Sequence, residues 1–319
     1  LTMHAFEEKV SLLHSDASVS RERRFPPGET GEHRLLDLNY DAGYHTLWKF
    51  IGRSAPVYFS HPLIDEIRSV QERIGAGDDL DVSDYELGDI EFCVFGSRLP
   101  GVFSLGGDLA LFRELILRRD RAGLAAYAKK ATDGVWANAI GFGQNVFTVA
   151  LVQGTALGGG FELALSAQSI VAERGTKFGL PETLFGLFPG MGAYTLLKRR
   201  VDARTAERMI ASGDTFCAEE LHEMGIIDVL CYPGEGEEAV QDFISRQRRN
   251  PGYRAFRQAL TRVNAINRDE LYGMADEWVS AALELGDGDL RRIERLVRNQ
   301  QRMTREVDSF NGRSFAPGR

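Results

Sequence analysis

A chain of 319 residues, 43% hydrophobic and 26% charged, can bury a large core and has the balance of an ordinary globular protein, which excludes disordered and collagen-like classes. The formal net charge of −8 gives no general attraction to nucleic acid or to an anionic membrane, so neither is an expected partner. Cys93, Cys217 and Cys231 are widely spaced with no Cys-x-x-Cys pair; they predict neither a disulfide framework nor a zinc site and fit a reduced compartment.

Residues 1–32 mix charge with Pro26, Pro27 and Gly28 and read as a loosely held arm. They hold no basic start followed by a long apolar region, and no apolar run in the chain approaches the roughly 20 residues that span a bilayer, so a soluble, cytoplasmic protein is expected. A first strand is predicted over 35–40. Leu63, Ile67, Val70 and Ile74 have helical spacing within 62–75, a strand follows over 90–95, and helices over 110–117 and 124–131. The apolar run 146–152 is a strand that leads through a Gly-rich turn into a helix. Another strand over 169–172 and a helix over 194–200 continue the alternation, which argues for an α/β architecture and leaves a doubly wound sheet open.

After Pro251 and Gly252 the pattern becomes purely helical. Leu271, Met274, Trp278, Ala281 and Leu285 share one face, Leu290, Ile293, Leu296 and Val297 another, and Asn267 with Glu270 forms a capping-box variant. The predicted organisation is an arm over 1–32, a core over 33–250, a helical appendage over 251–305 and a polar, frayed tail over 306–319.

The chemistry concentrates in two segments, Leu157-Gly158-Gly159-Gly160-Phe161-Glu162 and Phe178-Gly179-Leu180-Pro181-Glu182. At the first, backbone N–H groups at a helix start are unpaired, and three glycines let a substrate carbonyl approach them. Glu162 sits between apolar neighbours, where an unpaired carboxylate is costly to bury. By itself it could simply complement a helix N-terminus, and Glu182, behind Pro181, could be an exposed first-turn residue. Together they fit paired acid–base work beside a stabilised enolate. Asp108 is expected to cap the helix after it. His61 and His222 read as surface or satisfied core residues. Arg118-Arg119-Asp120-Arg121, Lys129-Lys130 and Lys198-Arg199-Arg200 read as solvated faces, with carrier docking as the sharper alternative. No P-loop, G-x-S-x-G or H-E-x-x-H motif is present, and no metal is expected.

In order and spacing, Phe103-Ser104-Leu105-Gly106-Gly107-Asp108-Leu109, Val152-Gln153-Gly154-Thr155-Ala156-Leu157-Gly158-Gly159-Gly160-Phe161-Glu162, Phe178-Gly179-Leu180-Pro181-Glu182 and Phe188-Pro189-Gly190-Met191-Gly192-Ala193 resemble the crotonase (enoyl-CoA hydratase/isomerase) superfamily. Within it, residues 178–200 with Tyr40-Asp41 and Thr46-Leu47-Trp48 look most like the diffusible signal factor synthases. The resemblance implies a crotonase spiral of ββα repeats, a C-terminal region that helps build a homotrimer or hexamer, and Glu162 and Glu182 as catalytic acids and bases. It implies Leu105 and Gly159 as backbone oxyanion donors, with Gly106, Leu157, Gly158 and Gly190 at the substrate.

By the same resemblance the protein dehydrates a 3-hydroxyacyl thioester on acyl carrier protein to the cis-2-enoyl form and hydrolyses it to a free fatty-acid signal. It needs no cofactor beyond the carrier thioester, carrier protein or CoA, and a sensor kinase is a possible partner. An enoyl-CoA hydratase is the alternative within the same class, and a non-catalytic partner-binding protein the alternative outside it. The Asn-Pro and Asn-Ala-Leu stretch usual among CoA-using relatives is not recognisable. Tyr44-His45-Thr46-Leu47-Trp48 and Pro56-Val57-Tyr58-Phe59 stand near its place, which favours a carrier-protein substrate.

Overall fold

The computed structural model describes residues 35–78, 80 and 89–313, so the arm expected over 1–32 lies outside it. Two sheets organise the core. The larger contains β1 (Leu36–Asp41), β2 (Thr46–Ile51), β3 (Phe92–Ser97), β5 (Phe147–Val152), β7 (Ser169–Glu173) and β10 (Val229–Cys231) in the order β1-β2-β3-β5-β7-β10. Only the β1–β2 pair is antiparallel. The smaller sheet has the order β4-β6-β8-β9, from β4 (Val102–Ser104), β6 (Thr155–Leu157), β8 (Lys177–Gly179) and β9 (Thr215–Cys217).

Each of β3, β5 and β7 is followed within a few residues by a short strand of the second sheet and then by helix. These are the ββα units of the expected spiral, and they replace the doubly wound alternative. The helices are α1 (His61–Ala76), α2 (Leu109–Leu117), α3 (Arg121–Ala139), α4 (Gly159–Leu165), α5 (Ala193–Leu197), α6 (Ala203–Ser212), α7 (Ala218–Glu223), α8 (Gly236–Arg249), α9 (Pro251–Val263), α10 (Arg268–Leu283) and α11 (Asp287–Arg313).

Strand β2 was not foreseen. All six residues of Thr-Leu-Trp-Lys-Phe-Ile are buried, because the strand lies inside the sheet with both faces covered, so it lacks a polar–apolar alternation. Trp48 and Phe50 pack with Phe92, Val149 and Phe243 on the side of α8, while Leu47 and Ile51 join the main core. Lys49 is 4% exposed, with its amine 5.7 Å from the ring centre of Phe95 and 5.8 Å from that of Phe142. Burial pushes its pKa down.

Side-chain caps fix the starts of α1 and α2. Ser60 accepts the Leu63 N–H ahead of α1, and Asp108 accepts that of Leu111 at 3.0 Å, the capping role expected for it. The C-terminal helices differ from expectation in three ways. Glu270 does not turn back to close a capping box; it accepts hydrogen bonds from Thr195 and Lys198, at 2.5 and 2.8 Å. The buried face of α10 is Leu271, Ala275, Trp278, Val279 and Ala282, which leaves Met274 and Ala281 on its flanks. And α11 runs on to Arg313 through most of the expected polar tail, anchored by buried Met303 and Val307. No helix among the described residues is long and apolar enough to cross a membrane.

Trp278 is 6% exposed and meets the Phe112 ring edge-on at 5.0 Å. Trp278→Ala is therefore expected to cost about 3–5 kcal/mol of unfolding free energy, the usual scale for truncating a buried tryptophan. Denaturant unfolding with an unchanged m-value would check it.

Candidate active site

The site lies where three short strands end side by side. β4, β6 and β8 run parallel, with Ser104 opposite Ala156 and Leu157 opposite Gly179. The turns that follow them, at Leu105–Asp108, Gly158–Gly159 and Leu180–Glu182, are thereby stacked together. The Gly158 N–H donates to Gly179 O at 2.9 Å, which locks the second turn to the third. Contact is close enough to require glycine. A Cβ at Gly158, where φ is +51°, would lie 2.5 Å from Glu182 Oε1, and one at Gly106, where φ is +88°, would lie 3.0 Å from the Gly159 nitrogen.

Glu162 is 2% exposed and points from α4 toward the Met191–Ala193 segment. Its Oε1 accepts the N–H of Met191 at 2.8 Å and of Ala193 at 3.0 Å. Burial nevertheless dominates and pushes its carboxyl up to about 7, with those two donors pulling the other way. Glu182, on the 3₁₀ turn Pro181–Phe185, has a buried Oε2 with no hydrogen-bond partner among the described residues. Burial, reinforced by the neighbouring charge of Glu162, pushes it up to about 8. The structure thus sets the Glu182 carboxyl against Gly158, with the Glu162 carboxyl close enough for its charge to raise the proton affinity of Glu182.

One expected donor is spent elsewhere. The Leu105 N–H donates to Val57 O at 2.7 Å, because residues 57–59 run beside the loop after β4, joined to it by an isolated bridge between Phe59 and Gly107. The Gly106 N–H goes to Ser104 Oγ and that of Asp108 to Tyr127 Oη, each at 3.2 Å. Gly107 is the residue of this loop whose N–H has no partner among the described residues, and the Gly159 N–H is likewise unpaired. In this loop, therefore, Gly107 rather than Leu105 has an N–H left for a ligand among the described residues. Gly107 holds the position just before the helix cap, a signal the sequence did carry.

The remaining expected residues separate. Gly106 and Gly158 lie at the junction of the turns. Leu157 is buried with its side chain over Gly179, and Gly190 faces away from the site, since a Cβ there would meet the Trp278 ring at 2.6 Å. Three residues not foreseen line or brace the site. The Met191 methyl lies against Gly159, where a Cβ would meet it at 2.6 Å, and Phe59 borders the same glycine. Buried Tyr127 donates to Phe59 O at 2.5 Å and accepts from Asp108, so one phenol ties the 57–59 segment to the loop.

The basic runs are engaged locally. Arg118 pairs with Glu114, Lys130 with Asp65, Lys198 with Glu270 and Arg200 with Asp228, while Arg121 donates to Ser280 and Lys129 to Tyr272. His61 stacks edge-on against Tyr127, and His222 bonds to the Ile227 carbonyl. No cluster suited to a metal ion occurs among the described residues.

The sequence profile of the enoyl-CoA hydratase/isomerase family matches residues 88–269, more than half of the chain. The chain belongs to that family. It is similar to the fatty acid oxidation complex subunit alpha of Pseudomonas syringae pv. syringae (strain B728a), with 39% identity over 102 residues. That match spans 32% of this chain and only 14% of the much longer relative. An enoyl-CoA hydratase from Mycobacterium avium subsp. paratuberculosis K-10 superposes with a TM-score of 0.64 at 22% identity, covering 83% of this chain and 99% of that one. An enoyl-CoA hydratase from Bacillus halodurans also gives 0.64, at 20% identity and with 82% and 99% covered. The fold is the α/β crotonase fold with added C-terminal helices.

Two outcomes are expected. Gly158→Ala should stay folded but lose about 10²-fold or more in turnover, because the new methyl displaces a carboxyl whose acid–base work is worth that much; steady-state rates beside circular dichroism would check this. The pair should also set a stability slope. Both folded-state pKa values lie above the ordinary 4.5, so the folded protein holds protons that the unfolded chain has already released. Its stability should fall as pH rises from about 5 to about 8. Denaturant unfolding across that range should show a flatter profile for the double variant Glu162→Gln/Glu182→Gln.

Proposed function

We propose that this protein is an acyl-thioester lyase that interconverts 3-hydroxyacyl and 2-enoyl thioesters, with Glu162 and Glu182 exchanging protons with Cα and the 3-oxygen. The observation that carries this reading is the pair of carboxyls with raised proton affinity, Glu162 and Glu182, near two backbone N–H groups, Gly107 and Gly159, that have no partner among the described residues. The thioester oxygen lies between the two N–H groups, which meet the negative charge that develops as Cα gains or loses its proton. In dehydration one carboxylate takes the Cα proton while the other carboxyl protonates the departing hydroxyl, and water leaves. Phe59 and the Met191 thioether offer an apolar, adaptable wall for the acyl chain.

Within this class the finer proposal is a diffusible signal factor synthase. It dehydrates a 3-hydroxyacyl carrier-protein thioester to the cis-2-enoyl form, then adds water across the thioester to give free acid and carrier thiol. It is supported by the resemblance at Tyr40-Asp41, Thr46-Leu47-Trp48 and residues 178–200, by the missing Asn-Ala-Leu stretch, and by both glutamates being present.

A plain enoyl-CoA hydratase is the second reading, and the electrostatics favour it at one point. Glu162 Oε1 accepts two N–H donors and Glu182 Oε2 has no partner among the described residues, so the resting pair favours an anionic Glu162 and a protonated Glu182. That is the state from which hydration starts, with Glu162 taking a proton from water and Glu182 delivering one to Cα.

Product analysis separates the two readings. Mass spectrometry after incubation with a medium-chain 3-hydroxyacyl carrier-protein thioester should find free cis-2-unsaturated acid, formed faster than from the CoA ester. Recovery of trans-2-enoyl thioester alone, with CoA esters reacting as well, would leave the hydratase. Glu162→Gln and Glu182→Gln should each lower either reaction by at least about 10²-fold without unfolding the protein, and turnover near wild type in both would remove the lyase reading.

A further inference from the structure

Gln300, on α11, is 5% exposed and faces the loop after β4 from a distant part of the chain. Its Nε2 donates to Gly107 O at 2.9 Å and to Leu105 O at 3.3 Å. These two carbonyls flank the peptide that carries the Gly107 N–H. In a trans peptide the C=O and N–H point in opposite directions. The Gly106 carbonyl is held by the Phe59 N–H at 2.8 Å, so the Gly107 N–H of that peptide is turned away from the 57–59 segment.

Two glycines in succession, the first at φ +88°, leave this peptide little intrinsic preference for one orientation. Its direction must come from outside the loop. Phe59 supplies one tie on the middle carbonyl, and the Gln300 amide supplies the ties on both neighbouring carbonyls. The helix behind Gln300 is itself fixed by buried Ile293, Met303 and Val307.

We propose that Gln300 is a positioning residue: its side-chain amide holds the Leu105 and Gly107 carbonyls so that the Gly107 N–H stays aimed at the thioester oxygen. This rests on the oxyanion reading given under the proposed function. It makes α11 a working part of the site, since an amide on that helix sets the geometry of a donor on the loop after β4.

The test uses the full chain, as wild type and as Gln300→Met, which keeps the side-chain bulk and removes the N–H donors. One probe is a cinnamoyl thioester of pantetheine, whose conjugated carbonyl absorbs at longer wavelength when hydrogen bonds polarise it. The other is the matching thioether, in which a methylene replaces the carbonyl. The wild type is expected to red-shift the thioester. Gln300→Met should lose most of that shift and about 10- to 10²-fold in kcat, on the scale of a weakened oxyanion donor, with affinity for the thioether unchanged. A folded Gln300→Met that keeps the shift and the rate overturns the proposal, as does a parallel loss of thioether binding, which marks a general packing role. Absence of a red shift in the wild type overturns the oxyanion reading itself, and this proposal with it. Should Gln300→Met fail to fold, Gln300→Asn, whose amide stops one methylene short of the carbonyls, carries the same measurements with the same expected and overturning results.

Discussion

The site depends on the parallel pairing of β4, β6 and β8, three strands of only three residues each. Parallel strands in adjacent register end at the same level, so the turns leaving them stack. This places the Leu105–Asp108 loop, the Gly158–Gly159 turn and the Glu182 turn against one another, although they are far apart in the chain. Strands this short contribute little on their own. They are held because each follows directly from a long, buried strand of the larger sheet. A slip in register would separate Gly158 from Gly179 and with it Glu182 from the glycines.

The stack also explains why charge can be concentrated there. Two carboxyls in one low-dielectric space cannot both ionise cheaply, and each raises the other's proton affinity. The two glutamates differ in what they touch. Glu162 has a pair of backbone donors, while Glu182 Oε2 has no partner among the described residues, and this asymmetry separates their proton affinities. Paired carboxyls pushed apart in this way are the general device by which one site supplies both an acid and a base.

The C-terminal helices supply the walls that keep the turns in place. Trp278 packs on Gly190 and Leu271 on Gly192, to either side of the Met191 N–H that binds Glu162, and Leu285 and Asp289 press on Gly186 at the end of the Glu182 turn. Gln300 closes the set at Gly107. The glycines of residues 186–192 thus serve close helix packing, and the segment that orients Glu162 is rigid because a tryptophan and a leucine are wedged against its backbone.

Much of this was legible in the residues themselves. The periodicities at Leu63, Ile67, Val70 and Ile74, the cap at Asp108, the α/β alternation and the two glutamates all follow from local chemistry, which a single sequence displays. β2 was hidden, because a strand buried on both faces has no alternation, and the short strands of the second sheet were hidden because three residues carry no period. Which N–H on the Gly106-Gly107 loop is free depends on Val57, Ser104 and Tyr127, and which side Gly190 faces depends on Trp278. Gln300 is one polar residue among many on a charged helix until the fold sets it beside two carbonyls. Local chemistry suffices for the periodic helices, the α/β alternation and the chemical groups available. Which backbone donors are left for a ligand, and what holds them, follows from contacts between segments that local composition does not encode.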